Sequence, residues 1–518
     1  MSGLLLVLSF APFSCATCGW IALVPAWWVI TRSERVHLQP IRHGYLIGLI
    51  YFGGTFWWVS NVTVIGTIVL ILYLALYPAI WFLLVNRLIL QRAGGSHIIF
   101  QVIAGAALWV TLEWWRSWFL TGFNWNELGD SQSPSIIFRQ LAAFGGVPLI
   151  SFVLVMVNIL WAEGILAIIE TFQEKKVIRA SLPFAAALLI VAVCFALGWH
   201  YLLRHRGETL GSGLSYICVQ PNILQIPGED TSSVDADNRE KEALHSIEEL
   251  SRQALVTKPD LLIWPEGSLE EGVFMDRPLN EVVHALCQAN DGYFLLGSPD
   301  YQDHKLYNCA YLFGPGGKRF QYYQKTYLVL LGEYLPFGNT FPWLRKAVGI
   351  GMDMTPGPGP KKFIMEKPAV TFSPLICFED TLPEVADRAA ELGPDFFVTI
   401  TNDGWYQGWT AAWGLRQHLA HAAFRCVEHD RPMIRCANNG ISCEINQDGT
   451  VVERLREASG SDVDVGGIFA HKLEFYPAHV TFHEAWGDWI ILISALISGM
   501  LGLQFFFRLC ARFRQCQP

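Results

Sequence analysis

The sequence predicts a two-part chain: an α-helical transmembrane bundle of about eight spans, and an α/β domain placed between the seventh span and the last. Three observations carry this. Apolar runs crowd the first 203 residues, charge is concentrated in the next 283, and the charged stretch alternates strand-like with helix-like patterns. Of 518 residues, 52% are hydrophobic and 16% charged, with a mean hydropathy of +0.31. An ordinary soluble protein is roughly 25% charged. This composition excludes a disordered chain, a disulfide-stapled mini-protein and a basic nucleic-acid binder, so no nucleic-acid partner is expected.

Charge sets the boundaries. Residues 1–203 carry 17 charged side chains, residues 204–486 carry 62, and residues 487–518 carry four. By sign, the middle block is −14 and the flanks together are +5, within a net charge of −9. The expected organisation is therefore a membrane module over 1–203, a charged domain over 204–486, and a C-terminal span with a basic tail over 487–518.

A helix needs roughly 20 apolar residues to cross about 30 Å of hydrocarbon. The candidate runs are Leu4–Phe13, Gly19–Ile30, Gly44–Trp58, Val64–Leu84, Ile98–Leu112, Val147–Ile169, Leu182–Leu203 and Trp489–Phe507. Pro12 and Pro25 break the first two, which are short enough to be half-length or re-entrant. Met1–Phe13 has no basic leading segment and is followed by further runs, so a cleaved signal peptide is not expected. Lys and Arg are retained on the cytoplasmic side. Arg32, Arg35 and Arg42, then Arg87 and Arg92, then Lys175, Lys176 and Arg179, and finally Arg508, Arg512 and Arg514 occupy alternate connections. The remaining connections hold only Arg116 and Arg139. Both termini are thus expected in the cytoplasm, with the charged domain across the membrane.

Within the charged block, residues 215–223, 260–268, 293–299, 369–377 and 394–401 are short apolar or β-branched runs ending in turn residues, the pattern of buried strands. Helical patterns lie between them at Asp235–Leu255, Leu279–Ala289, Leu382–Leu392 and Thr410–His429. The alternation implies an α/β sheet covered by helices. Gly314-Pro315-Gly316-Gly317-Lys318 is followed by Arg319, so it reads as a hairpin turn and not a phosphate loop.

Three residues fall just after predicted strands. Cys377 is either a buried core thiol or a nucleophile near free backbone N–H groups at a strand-to-helix turn. Seven cysteines in the block leave at least one unpaired within it. Glu266 follows Trp264-Pro265 and is either a turn carboxylate or a base. Lys325 follows Phe320-Gln321-Tyr322-Tyr323-Gln324 and is either a strand-edge lysine or a stabiliser of an oxyanion.

Taken together, Glu266, Lys325 and Cys377, each at a strand end, resemble the Glu-Lys-Cys triad of the nitrilase superfamily. The surrounding words resemble it too: Gln220-Pro221-Asn222, Trp264-Pro265-Glu266, Gly332-Glu333-Tyr334-Leu335-Pro336, Cys377-Phe378-Glu379 and Thr401-Asn402-Asp403-Gly404-Trp405. Leu8-Ser9-Phe10-Ala11-Pro12-Phe13, Leu112-Glu113-Trp114-Trp115-Arg116 and Thr121-Gly122-Phe123-Asn124-Trp125 resemble the membrane half of the apolipoprotein N-acyltransferase family. The chain departs from that pattern at Phe378, where Tyr is common, and at Leu330-Leu331, where Pro-Phe is common.

The resemblance implies a nitrilase-like αββα sandwich in a bacterial inner-membrane protein, with this domain periplasmic. It implies acyl transfer from a phospholipid to the N-terminal amine of a diacylated apolipoprotein, through a thioester on Cys377. Glu266 would be the base. Lys325 and the Phe378 N–H would stabilise the oxyanion, with Glu333 and Glu379 positioning the triad. No cofactor or metal is expected, and the protein is expected to be a monomer. Asn402, Trp405, Tyr406, Trp409 and Trp413 are candidates for substrate contact or a lid, against packing or an interfacial aromatic belt. Glu113 and Arg116 are three apart on one helix and form either a structural ion pair or a lipid-headgroup contact. Glu163 is expected to snorkel or face the bundle. Cys15-Ala16-Thr17-Cys18 lacks the second pair a zinc site needs. The rival functions are a membrane-tethered amidase that uses water and a non-catalytic membrane binding protein.

Overall fold

The computed structural model describes residues 1–32, 39–91, 97–171, 177–204, 213–223, 234–267, 272–274, 277–317, 320–336, 338, 340, 345, 352–404, 406 and 408–515. The chain divides into two compact units, Met1–Arg204 with Thr481–Pro518, and His205–Val480. The second boundary lies six residues before the end of the predicted charged domain. Thr481 caps the short Phe482–Trp486 helix by accepting from the Glu484 N–H, and this helix packs on the Ala142–Thr171 helix of the first unit.

Among the described residues of the first unit, five helices are long and apolar enough to cross a membrane: Val64–Leu90, Ile98–Trp118, Ala142–Ile169, Ser181–Arg204 and Trp489–Arg508. They coincide with five of the eight expected runs. The run at Leu4–Phe13 forms only the Ser2–Ser9 helix, whose eight residues reach about 12 Å, and the next run is split between Ala16–Gly19 and Val24–Arg32. The third lies in Gln39–Phe56, a helix of 18 residues outside the five.

Gln39–Phe56 packs closely on Leu76–Leu84. A Cβ on Gly44 would lie 2.7 Å from the Ala79 Cα, and one on Gly48 2.7 Å from the Ala75 Cα, so only glycine permits this approach. Buried polar bonds tie the other helices. Asn158 Oδ1 accepts from the Leu23 N–H at 2.7 Å, and the Trp27 indole donates to Glu163 Oε1 at 2.7 Å. Glu163 therefore faces the bundle, where an unbonded carboxylate would be costly.

The second unit is a sandwich of two six-stranded sheets. One has the order β12-β1-β2-β3-β4-β5 and the other β11-β10-β9-β8-β7-β6. The first contains β1 (Leu214–Gln220), β2 (Leu261–Ile263), β3 (Tyr293–Gln302), β4 (Lys305–Phe313), β5 (Phe320–Gln324) and β12 (Gly467–Leu473). The second contains β6 (Phe363–Glu366), β7 (Ala369–Ile376), β8 (Phe396–Thr401), β9 (Met433–Ala437), β10 (Cys443–Ile445) and β11 (Val451–Arg454). The triplets β1-β2-β3 and β7-β8-β9 are parallel, and the flanking pairs are antiparallel.

Strand periodicity builds the layers. Tyr216, Cys218, Leu261, Ile263 and Leu295 meet Phe372, Ile376, Val398, Ile400 and Ile434 between the sheets. Their neighbours Ile217, Val219, Leu262 and Phe294 face outward to the Val234–Ala254 and Arg277–Ala289 helices. Leu375, Phe397 and Met433 likewise meet the Pro383–Ala390 and Ala411–His429 helices. Helices thus cover both outer faces, giving a nitrilase-like αββα layering. Each parallel strand delivers the residue after its C-terminal end to one edge, where open α/β sheets bind ligands.

Candidate active site

The segments following β2, β5, β7 and β8 supply Glu266, Lys325, Cys377 and Asn402. Lys325 follows β5 directly and is 1% exposed. Its Nζ lies 3.3 Å from Glu266 Oε1 and 2.9 Å from Glu333 Oε1. Asn308, on β4, donates from Nδ2 to both carboxylates at 2.7 and 2.8 Å. The Asn402 backbone N–H donates to Glu266 Oε2 at 2.9 Å, so both oxygens of that carboxylate are held. The Val329 N–H holds Glu333 Oε2 at 2.7 Å. Burial pulls the Lys325 ammonium down, but the charges of Glu266 and Glu333 outweigh it and hold the group well above its usual range.

Cys377 follows β7 with φ of +54°, a left-handed conformation that is costly for any residue with a Cβ. It opens a tight turn, Cys377–Thr381, and its side chain is half-buried. Burial pushes its thiol well above the usual range and the Glu266 charge adds to this, while Lys325 and a hydrogen bond with Thr401 oppose it. The resting thiol is therefore protonated, and nucleophilic attack needs a neighbouring group to take that proton.

Glu379 is fully buried and joins the two halves of the site. Its Oε1 accepts from the Tyr323 hydroxyl (2.7 Å), the Thr326 N–H (2.7 Å) and hydroxyl (2.9 Å), and the Tyr327 N–H (3.2 Å), while Oε2 accepts from the Ile376 N–H (2.9 Å). The carboxylate thus fixes the chain after Lys325 to the strand end before Cys377. Phe378 stacks against Tyr327 with ring centroids 6.2 Å apart.

The structure separates the aromatic candidates. Tyr406 packs with Phe378 and Tyr327 against the core of the second sheet. Trp409 is 78% exposed and meets Trp413 edge to face at 5.5 Å. Trp405 lies outside the described residues. In the membrane unit, Glu113 and Arg116 are both buried. Glu113 Oε1 accepts from Trp109 Nε1 and the Leu128 N–H, both at 2.7 Å, and Arg116 Nη1 donates to the Trp125 carbonyl at 3.0 Å. They pin the end of the Ile98–Trp118 helix to the chain that follows it.

Sequence reasoning missed Asn308 and Thr326, ordinary polar residues with no motif around them, and gave Thr401 no role although it opens the Thr401–Trp405 word. It also missed a buried cluster of Asp380, His418, Asp403 and Arg435. The available signal was the Ala411–His429 helix, whose buried positions include His418, His421, Arg425 and Glu428.

A carboxylate, a lysine and a thiol converging at the strand ends of an αββα sandwich can support acyl transfer through a thioester. Residues 219–463 match the carbon-nitrogen hydrolase family, and residues 2–160 match the apolipoprotein N-acyltransferase N-terminal domain. The apolipoprotein N-acyltransferase of Geobacter metallireducens is 30% identical, covering 87% of this chain and 85% of that protein. Those of Rickettsia prowazekii (28% identical; 83% of each chain) and Haemophilus ducreyi (24% identical; 96% of this chain and 94% of that one) extend the similarity over nearly the whole length. With both halves matched in one chain and the α/β layering in place, this protein belongs to the apolipoprotein N-acyltransferase family.

Proposed function

We propose that this acyltransferase moves a fatty acyl chain from a phospholipid to the N-terminal amine of the S-diacylglyceryl-cysteine of an apolipoprotein, with Cys377 as nucleophile. Glu266 takes the Sγ proton, and the sulfur attacks the ester carbonyl carbon. Lys325 and the Phe378 N–H stabilise the resulting oxyanion, and each such donor is worth about 10²–10³ in rate. Collapse breaks the carbon–oxygen bond, and Glu266 returns its proton to the departing lysophospholipid. The acceptor amine then attacks the thioester, Glu266 takes its proton, and the sulfur leaves and is reprotonated. The observation that carries this reading is the Lys325–Glu266 contact acting on a protonated thiol at a strained strand end.

Extracting an acyl chain into water costs about 0.8 kcal/mol per CH₂, so the donor is taken from the bilayer. Trp409, exposed near Trp413, serves as a lid candidate that keeps water from the thioester. The five long helices leave an odd number of crossings, and Gln39–Phe56 supplies a sixth with Ser2–Ser9 and Val24–Arg32 as half-length elements. An even number keeps both termini cytoplasmic and the catalytic domain periplasmic, in accord with the basic connections.

Mass spectrometry of the purified protein incubated with phospholipid tests the mechanism. A fatty-acyl increment is expected on Cys377, absent in Cys377→Ala and discharged by a diacylated peptide with an N-terminal cysteine. Wild-type protein that never carries the increment overturns the reading.

A further inference from the structure

We infer that four buried side chains, Asp380, His418, Asp403 and Arg435, form a closed charged ring that holds the Cys377 turn and the Asn402 loop in register, which makes His418 and Arg435 positioning residues for acyl transfer. This rests on the reading of Cys377 as nucleophile and Glu266 as base.

Each ring member is at most 1% exposed. Asp380 lies in the turn that Cys377 opens. It accepts from His418 Nε2 at 2.7 Å and from Arg435 Nη1 at 2.5 Å, on separate oxygens. Asp403 follows Asn402. It meets His418 Nδ1 at 3.1 Å and accepts from Arg435 Nη2 at 2.9 Å, again on separate oxygens, and the same Nη2 lies 3.0 Å from His418 Nδ1. His418 comes from the Ala411–His429 helix and Arg435 from β9, so two cations on separate elements each clamp the same two carboxylates. One carboxylate belongs to the nucleophile's turn. The other neighbours the residue whose backbone N–H holds Glu266 Oε2. Thr401, which hydrogen-bonds the Cys377 thiol, also donates to Asp403 Oδ1 at 3.1 Å.

The ring is electrically neutral only with His418 as an imidazolium, the form in which both ring nitrogens donate. Burial and Arg435 push His418 down, but Asp380 and Asp403 outweigh them and raise it to about 9. Cys443 on β10 and Cys377 both act on Arg435, and Tyr406 feels both Asp403 and Arg435. Removing the His418 charge leaves one negative charge in excess beside the thiol. It also frees one prong of each carboxylate, so the turn and loop lose their shared anchor.

The test uses full-length purified protein with phospholipid in detergent micelles, comparing wild type with His418→Gln and Arg435→Lys at matched folded fraction. In His418→Gln, Cys377 acylation is expected to slow by about 10- to 100-fold, the scale on which a small misplacement at a distance acts. The KM for phospholipid should be unchanged. Iodoacetamide alkylation of Cys377, read on its peptide by mass spectrometry, should move its midpoint to higher pH. Arg435→Lys keeps the charge but loses the fork, and should slow acylation without moving the midpoint. If His418→Gln does not fold, a slowed and folded Arg435→Lys still supports the ring. Wild-type acylation rate and midpoint in folded His418→Gln, or wild-type rate in folded Arg435→Lys, overturn it. Alkylation needs no acyl transfer, so it separates failure of this inference from failure of the thioester mechanism.

Discussion

Lys325 Nζ lies 3.3 Å from Glu266 Oε1, with both side chains buried and Glu333 completing the contact on the lysine's other side. Lys325→Met leaves two neighbouring carboxylates without their cation. Breaking a buried pair by removing one partner costs about 3–5 kcal/mol. Losing the oxyanion donor costs a further factor of about 10²–10³ in rate. The expected outcome is a folded but less stable variant with almost no Cys377 acylation, read by thermal unfolding and by mass spectrometry. Wild-type acylation in that variant would remove Lys325 from the mechanism.

The left-handed backbone at Cys377 separates the nucleophile's chemistry from its cost. A residue with a Cβ in that conformation is destabilised by roughly 1–2 kcal/mol, whereas glycine is not. Cys377→Gly and Cys377→Ala should both be inert toward phospholipid. Cys377→Gly should nevertheless unfold at the higher temperature, despite the flexibility glycine adds to the unfolded chain. Equal or reversed melting temperatures would show that the turn is not strained.

Glu379 acts as a staple. Its two oxygens take five hydrogen bonds from the Tyr323–Tyr327 segment and Ile376, and burial raises its carboxyl above the usual range. Glu379→Ala leaves those donors unsatisfied at about 1–3 kcal/mol each where water cannot reach them. It should yield little folded protein. Glu379→Gln retains an acceptor and should fold, but with slower acylation, because the chain after Lys325 is no longer held to the strand end before Cys377. A folded Glu379→Gln acylated at the wild-type rate would argue against the staple.

Strand-end chemistry was legible in the sequence because apolar strands and the polar residues that follow them differ sharply in composition. Glu266, Lys325 and Cys377 could therefore be placed at strand ends without coordinates, and it was their joint resemblance to the nitrilase triad that singled them out. The membrane half was less so. Hydropathy marks apolar runs but not helix length, and Pro12 and Pro25 fall where Ser2–Ser9 and Val24–Arg32 form only short helices. Asn308 was invisible because its two partners, Glu266 and Glu333, lie 42 and 25 residues away in sequence and meet it only in the fold. The charged ring was hidden for a related reason. His418 and Arg435 look like polar residues on a helix and a strand, and only folding buries them against Asp380 and Asp403.

That ring carries a pH dependence of stability with a definite sign. His418 is raised from its unfolded value of about 6.5 to about 9 in the folded protein. A cation raised in this way contributes stability that is fully present below the unfolded pKa and is lost as pH rises through the folded one. Wild-type melting temperature should therefore fall between about pH 6.5 and 9 by an increment that His418→Gln lacks. Asp403 works at the opposite end. Burial would raise its carboxyl, but His418 and Arg435 hold it below the usual range, so its contribution is lost only under acid conditions. Thermal unfolding of both proteins across pH 5 to 10 measures the difference, which cancels other alkaline titrations common to the two. Parallel curves would mean that His418 is neutral in the folded protein and that the ring is held by Arg435 alone.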